Sequence, residues 1–215
     1  MIMYDAVLFD LDGTLTDPKE GITKCVRYAL DKMGIKEENL DNLLCFIGPP
    51  LADSFKDFYN MTEKDALRAV EYYRERFSEK GILENKPIDG IPELLSALKG
   101  KNITVALATS KPLVFARRVL DNFELTQYFD IVVGATLDGT LSEKKDVIAA
   151  VLKQLPNAEN PVMVGDRRQD VIGAKLCGIP CIGVRFGYAE ENELEEAGAD
   201  KIAATPRELY TFLTE

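Results

Sequence analysis

The stretch Tyr4-Asp-Ala-Val-Leu-Phe-Asp10-Leu-Asp12-Gly-Thr-Leu-Thr-Asp-Pro18 decides how the rest of the chain is read. A short apolar run, of the kind that forms a buried strand, ends on an acid and leaves through a turn-rich segment. Asp10 and Asp12 are two residues apart, so in extended backbone their side chains fall on the same side. Carboxylates that close repel unless a proton or a cation separates them. The same five letters return at Leu137-Asp-Gly-Thr-Leu141, but there Thr136 stands where the first copy has Asp10. The second copy therefore reads as a plain turn at Asp138-Gly139 and serves as a control.

Outward from this strand the rhythm is helical at first. Asp17, Pro18 and Glu20 read as a helix start, with an acid cap and Pro at the first position. Ile22, Val26, Ala29, Leu30 and Met33 form one stripe, ended by Gly34; Ala66, Leu67, Val70, Tyr73 and Phe77 form another. Between them lie the loop Phe46-Ile-Gly48-Pro-Pro50 and a helix over Leu51–Tyr59. After Lys86-Pro87, strands over 103–108, 130–133, 161–164 and 180–184 alternate with helices over 92–98, 113–122, 146–155 and 171–176. Thr205 caps a last helix. The strands are apolar runs, as in a parallel sheet covered on both faces. The fold class predicted is α/β: a Rossmann-like doubly wound parallel sheet core (1–16 and 86–215) with an inserted all-helical domain (17–85).

Composition narrows the chemistry. Across 215 residues, 26 Lys and Arg face 36 Asp and Glu, a formal charge of −10, and there is no His and no Trp. Without imidazole there is no Ser-His-Asp or Cys-His catalysis and no HExxH zinc site. The acidic balance disfavours nucleic acid polymers and anionic membranes as partners. No apolar stretch approaches the ~18 residues of a membrane span. The N-terminal residues lack a basic secretory n-region, and the four cysteines show no CxxC pair. A reduced, cytoplasmic protein is expected.

In a doubly wound sheet, ligands bind at the carboxyl ends of the strands. Three strand exits carry chemistry: Asp10 and Asp12; Thr109-Ser110-Lys111; and Gly165-Asp166 with Asp170. Asp10, Asp12 and Asp166 together call for a hard divalent ion, Mg²⁺ foremost, with room for phosphate oxygens. Thr109 and Ser110, with a helix starting near Pro112, offer hydroxyls and free backbone N–H groups to an anion. A cation on one side and an anion cradle on the other describe phosphoryl chemistry. The Glu190–Glu196 run reads as the solvated face of a short helix, and Arg167 and Arg168 as surface cover or partners of nearby acids.

These residues, taken in order, resemble the four motifs of the haloacid dehalogenase superfamily: Asp10-Leu-Asp12-Gly-Thr-Leu15, Thr109-Ser-Lys111, a lysine in 142–146, and Gly165-Asp166 with Asp170. Phe46-Ile-Gly-Pro-Pro-Leu51 and Thr109-Ser-Lys-Pro112 are similar to its phosphoglycolate phosphatase group, particularly the 5′-nucleotidase-like branch. The resemblance implies a Mg²⁺-dependent phosphatase of small phosphorylated metabolites, with the helical insert as a cap hinged near 16–18 and 84–89. It implies Asp10 as nucleophile, and Asp12 as general acid and base whose carbonyl also binds the metal beside Asp10 and Asp166. Thr109 would hold a phosphate oxygen, with Ser110 and Lys111 at the substrate and Asp170 behind, orienting the lysine. The lysine is Lys144 or Lys145, and the spacing to the following helix favours Lys144; the Lys-Pro usual in the group is absent here. Gly48, in the cap loop, is expected to touch substrate. A non-catalytic phosphometabolite sensor, a phosphomutase or a pyrophosphatase on the same fold are the alternatives; lack of His disfavours the mutase. Oligomeric state is not fixed by these features.

Overall fold

The computed structural model describes residues 4–215. In chain order the elements are β1 (Ala6–Phe9), β2 (Thr16–Asp17), α1 (Lys19–Lys32), α2 (Leu51–Tyr59), α3 (Glu63–Arg76), β3 (Lys86–Pro87), α4 (Ile91–Gly100), β4 (Thr104–Pro112), α5 (Leu113–Asn122), β5 (Ile131–Ala135), α6 (Lys144–Leu152), β6 (Pro161–Gly165), α7 (Arg168–Leu176), β7 (Cys181–Val184), α8 (Glu193–Ala197), β8 (Lys201–Ala203) and α9 (Pro206–Thr214). The chain separates into two compact units, one running through Asp17 and resuming at Pro87–Glu215, the other Pro18–Lys86.

The first unit is an α/β doubly wound domain. Among the described residues its sheet has six strands, in the order β5-β4-β1-β6-β7-β8, and the registered neighbours run parallel. Strand β1 lies at the centre, with Ala6 opposite Thr104 on one side and Pro161 on the other. The order reverses there, and a crevice opens at the carboxyl ends of strands at such a switch point. All four β1 residues are buried, which explains the apolar run without alternation. Leu8, Ala106, Ala108, Met163 and Cys181 pack on Val147, Ile148 and Val151 of α6 and on Val171 and Ala174 of α7. Removing the Leu8 side chain from water contributes about 1.5–3 kcal/mol.

The second unit is helical. Ile22, Cys25, Val26, Ala29 and Leu30 are the buried face of α1, which packs against α3. Thr62 caps α3, its side chain accepting from the Asp65 N–H at 3.2 Å. Phe46 and Phe55 meet edge to face with centroids 4.9 Å apart.

Several elements differ from the sequence reading. Leu67, placed on the buried stripe of α3, is exposed; its neighbours Ala66 and Val70 carry the contact. Asp17 does not cap α1. It lies in β2, Pro18 is the N-cap, and the Asp17 carboxylate accepts from the Tyr188 hydroxyl. A 3₁₀ segment, Leu40–Phe46, and the three-residue β8 were not foreseen. Strand β4 continues through Thr109-Ser110-Lys111 to Pro112, so Thr109 and Ser110 are strand residues and not a helix N-terminus.

Candidate active site

The chain leaves β1 through a tight loop. The Asp10 N–H donates to the Val164 carbonyl at 2.9 Å, extending the β1–β6 pairing by one residue. Leu11 then turns the chain, its carbonyl accepting from Leu15 N at 2.9 Å and Thr16 N at 3.0 Å. Gly13 has φ +81°, and a Cβ there would lie 2.1 Å from Asp166 Oδ2. Glycine is therefore required twice, for the left-handed backbone and for the close approach. Asp166, at the end of β6, is fully buried. Its Oδ1 accepts from Thr14 Oγ1 at 3.2 Å and its Oδ2 from the Tyr188 N–H at 2.7 Å.

Lysine and carboxylate positions follow from the neighbouring elements. Lys144, the first residue of α6, is buried, with Nζ 2.7 Å from Asp10 Oδ1 and 2.8 Å from Asp170 Oδ1. It also donates to the Ala108 carbonyl at 3.1 Å, just before Thr109. Lys145 is exposed. Of the two lysines, it is Lys144 that reaches the acids. Asp170 Oδ2 accepts from the Arg167 N–H at 3.0 Å, tying the α7 N-terminus to the strand exit. Lys111 Nζ pairs with Asp12 Oδ2, and Thr109 is buried, its Oγ1 accepting from the Lys111 N–H at 3.2 Å. The β4–β5 register shifts between Thr109 and Pro112; a bulge of this kind re-aims side chains at a strand end.

The electrostatics are those of a site with surplus negative charge. Among the described residues, Asp10, Asp166 and Asp170 each bring a carboxylate oxygen within 4.8 Å of the others. With Asp12 they make four buried acids, faced by the ammonium groups of Lys144 and Lys111. Burial, then the charges of Asp170 and Asp10, push the Asp166 carboxyl well above the ordinary range. Asp170 is pushed up to about 6, chiefly by burial, with Lys144 opposing. Burial also raises Asp12, against the pull of Lys111. Burial would lower Lys144, but Asp10 and Asp170 outweigh it and hold the ammonium charged. The Asp12 Oδ1 atom is buried without a hydrogen-bond partner among the described residues. Oxygen-only donors, an excess of two negative charges and an orphaned carboxylate oxygen fit a hard divalent cation.

The site thus brings together Asp10, Asp12, Asp166, Asp170, Thr109, Lys111 and Lys144, with Ser110 in the same strand segment. Gly48 belongs to the helical unit, at φ +108° in the bend before α2. The control copy is different: Asp138 is exposed and accepts from Thr140 N at 3.1 Å and Thr140 Oγ1 at 2.9 Å, closing its own turn. Two contributors were missed. Gly187 packs so closely that a Cβ would lie 2.3 Å from Asp166 Cβ, and Tyr188 supplies the amide just described. Both leave β7, a strand exit whose residues carry no acid to draw attention. Glu193, read as part of a solvated face, is 3% exposed.

A sequence profile of the haloacid dehalogenase-like hydrolases matches residues 7–184. The chain belongs to that family. As a haloacid dehalogenase-like hydrolase, it is 47% identical over 194 residues to a 5′-nucleotidase of Pseudomonas aeruginosa, covering 90% of this chain and 88% of that one. It is 38% identical over 210 residues to the tyrosine-protein kinase PtkA of Mycobacterium tuberculosis, covering 96% and 72%. A solved structure of a predicted phosphatase from Clostridium acetobutylicum superimposes with a TM-score of 0.95 at 48% identity, over 99% of each chain. No helix among the described residues of this hydrolase is long and apolar enough to cross a membrane.

Proposed function

We propose that this hydrolase is a Mg²⁺-dependent phosphatase of small phosphomonoesters, with nucleoside 5′-monophosphates as its first candidate substrates. The observation that carries the reading is the pairing of two differently held carboxylates, Asp10 against Lys144 and Asp12 against Lys111, beside the buried Asp166. The likeness to a 5′-nucleotidase supports the substrate class.

In this mechanism Asp10 attacks phosphorus; the new Asp10 O–P bond forms as the ester P–O bond breaks. Asp12 gives its proton to the departing alkoxide, then takes one from the water that cleaves the aspartyl-phosphate and releases inorganic phosphate. Lys144 holds Asp10 and offsets the charge of the transferring group, and Thr109 hydrogen-bonds a phosphate oxygen. Asp10, Asp166 and the Asp12 carbonyl would hold Mg²⁺, which when bound neutralises charge on the nucleophile and the phosphoryl oxygens. Asp170 keeps Lys144 in place.

The test is a phosphate-release screen over nucleoside monophosphates, phosphoglycolate, pyrophosphate and other phosphorylated metabolites, with Mg²⁺ and with EDTA. Phosphate release that needs Mg²⁺ and disappears in folded Asp10→Asn is expected. Release at the parental rate by Asp10→Asn, or transfer of the ATP terminal phosphate to a tyrosine peptide without release, overturns the reading.

A further inference from the structure

Glu193 is a buried carboxylate with no part in the chemistry above, and both of its oxygens are taken. Its Oε1 accepts from Arg167 Nε at 3.0 Å and from the Arg168 N–H at 2.7 Å; its Oε2 accepts from the Glu190 N–H at 3.0 Å. Those donors come from two loops. Arg167 and Arg168 follow Asp166 directly and open α7, which carries Asp170. Glu190 is two residues beyond Tyr188, whose N–H holds Asp166 Oδ2, and three beyond Gly187, packed on the Asp166 side chain. The contacts close a ring running from Asp166 to Tyr188, Glu190, Glu193, Arg168, Arg167 and back to Asp166.

We infer that Glu193 is a positioning residue, locking together the two loops that hold Asp166 and keeping the Arg167 guanidinium off the three-acid group. Charge makes the second half of that role necessary. Arg167 is adjacent in sequence to Asp166, and its charge already pulls against the upward shift of that carboxyl. Without the Glu193 carboxylate, the Arg167 charge still acts on the neighbouring Asp166, which stands with Asp10 and Asp170, and there it opposes binding of a divalent cation. The hydrogen bonds to Glu193 hold that carboxylate itself below its ordinary range despite burial, so it stays charged at neutral pH. Partners that orient a metal's ligands cost about 10–100-fold in metal affinity or activity when lost.

The inference rests on the metal-dependent reading proposed above, and the experiment separates the two. Metal-free wild type, Glu193→Gln, Glu193→Ala and the double variant Arg167→Gln/Glu193→Gln are titrated with Mg²⁺ by calorimetry without substrate. Thermal unfolding and the Mg²⁺ dependence of phosphate release are measured alongside. Mg²⁺ affinity is expected to fall about tenfold in Glu193→Gln and further in Glu193→Ala. KM at saturating Mg²⁺ should hold steady, and the double variant should recover part of the loss because the competing cation is gone. A folded Glu193→Gln with wild-type Mg²⁺ affinity overturns the role, as does a Glu193→Ala that only lowers the unfolding midpoint. If Glu193→Ala fails to fold, the near-isosteric Gln variant decides. Wild type that takes up no Mg²⁺ sinks the metal-dependent reading itself, whereas normal uptake by wild type and Glu193→Gln alike sinks only the role of Glu193.

Discussion

Replacing Asp166 by Asn should make the metal-free protein more stable and the metal-loaded protein less so. The substitution changes charge and little else. The amide oxygen can keep accepting from Tyr188 N, and the amide N–H can donate to Thr14 Oγ1 once that hydroxyl reverses. What disappears is a fully buried carboxylate that burial and the charges of Asp170 and Asp10 push well above the ordinary range. Burying a polar group without full compensation costs about 1–3 kcal/mol, and a charge no less, so relieving it is worth at least about 1–3 kcal/mol at neutral pH in EDTA. For a chain of this size that is roughly 2–12 °C in the midpoint. The sign with pH follows from the raised pKa. Below the ordinary carboxyl value, Asp166 is protonated folded or unfolded and costs nothing; the cost grows as pH rises toward the folded value. The advantage of Asn should therefore vanish near pH 4 and grow toward pH 7. In wild type, Mg²⁺ at 100 times its dissociation constant should add about 2.7 kcal/mol, and the variant should lose most of that gain. The assay is thermal unfolding by circular dichroism at several pH values, with EDTA and with Mg²⁺. A metal-free Asn variant less stable than wild type at pH 7, with an undiminished Mg²⁺ response, refutes the charge-surplus reasoning.

Other expectations can be checked with the same protein. Lys144→Gln should lower kcat by about a thousandfold through loss of the charge on Asp10 and the transferring group, whereas Lys145→Gln should keep wild-type turnover, because Lys145 is exposed. Gly13→Ala should cost about 1–2 kcal/mol for its left-handed backbone alone, and activity as well, since the new methyl collides with Asp166; thermal unfolding and phosphate release measure both. Asp138→Ala should leave phosphate release unchanged, because that acid only closes its own exposed turn.

The sequence is most legible where one local rule governs. Ala6–Phe9 and Pro161–Gly165 are apolar because both sheet faces are covered, and an acid at the end of such a run has to be placed for a reason. That rule alone points to Asp10 and Asp166. It also separates Asp12 from Asp138, which share the same pentapeptide. The rule fails where a side chain's surroundings come from far along the chain. Glu193 sits in an acid-rich run that looks solvated, yet its donors lie 25 and 26 residues upstream. Tyr188 contributes a backbone amide, which no side-chain pattern advertises. Strand β8 has three residues with a lysine first and one fully buried position, too short for a period to emerge. The helix over 113–122 begins where Pro112 indicates, but the end of β4 lies past Ala108, because the bulged pairing to β5 carries strand geometry through the polar Thr109-Ser110-Lys111 up to Pro112.

The absence of histidine acquires a physical meaning from the site. Acid–base work near neutrality needs a group whose pKa lies near the working pH, and imidazole is the side chain that starts there. This chain works from the carboxylate side instead. Burial and neighbouring acids lift Asp12, Asp166 and Asp170 above ordinary carboxylates; Lys111 opposes the rise of Asp12, Lys144 that of Asp170, and the Tyr188 N–H with Arg167 that of Asp166. Lys111 pairs with Asp12, while Lys144 is divided between Asp10 and Asp170. The four acids are chemically alike in sequence and become distinct through the number and identity of the cations each one touches. The same arrangement reconciles a chain of formal charge −10 with an anionic substrate. Charge over the whole surface governs long-range encounter and is screened within about 8–10 Å at physiological salt. What a phosphate group meets at contact is the local set: Lys144, Lys111, the Thr109 hydroxyl and the cation that the surplus carboxylates are built to hold.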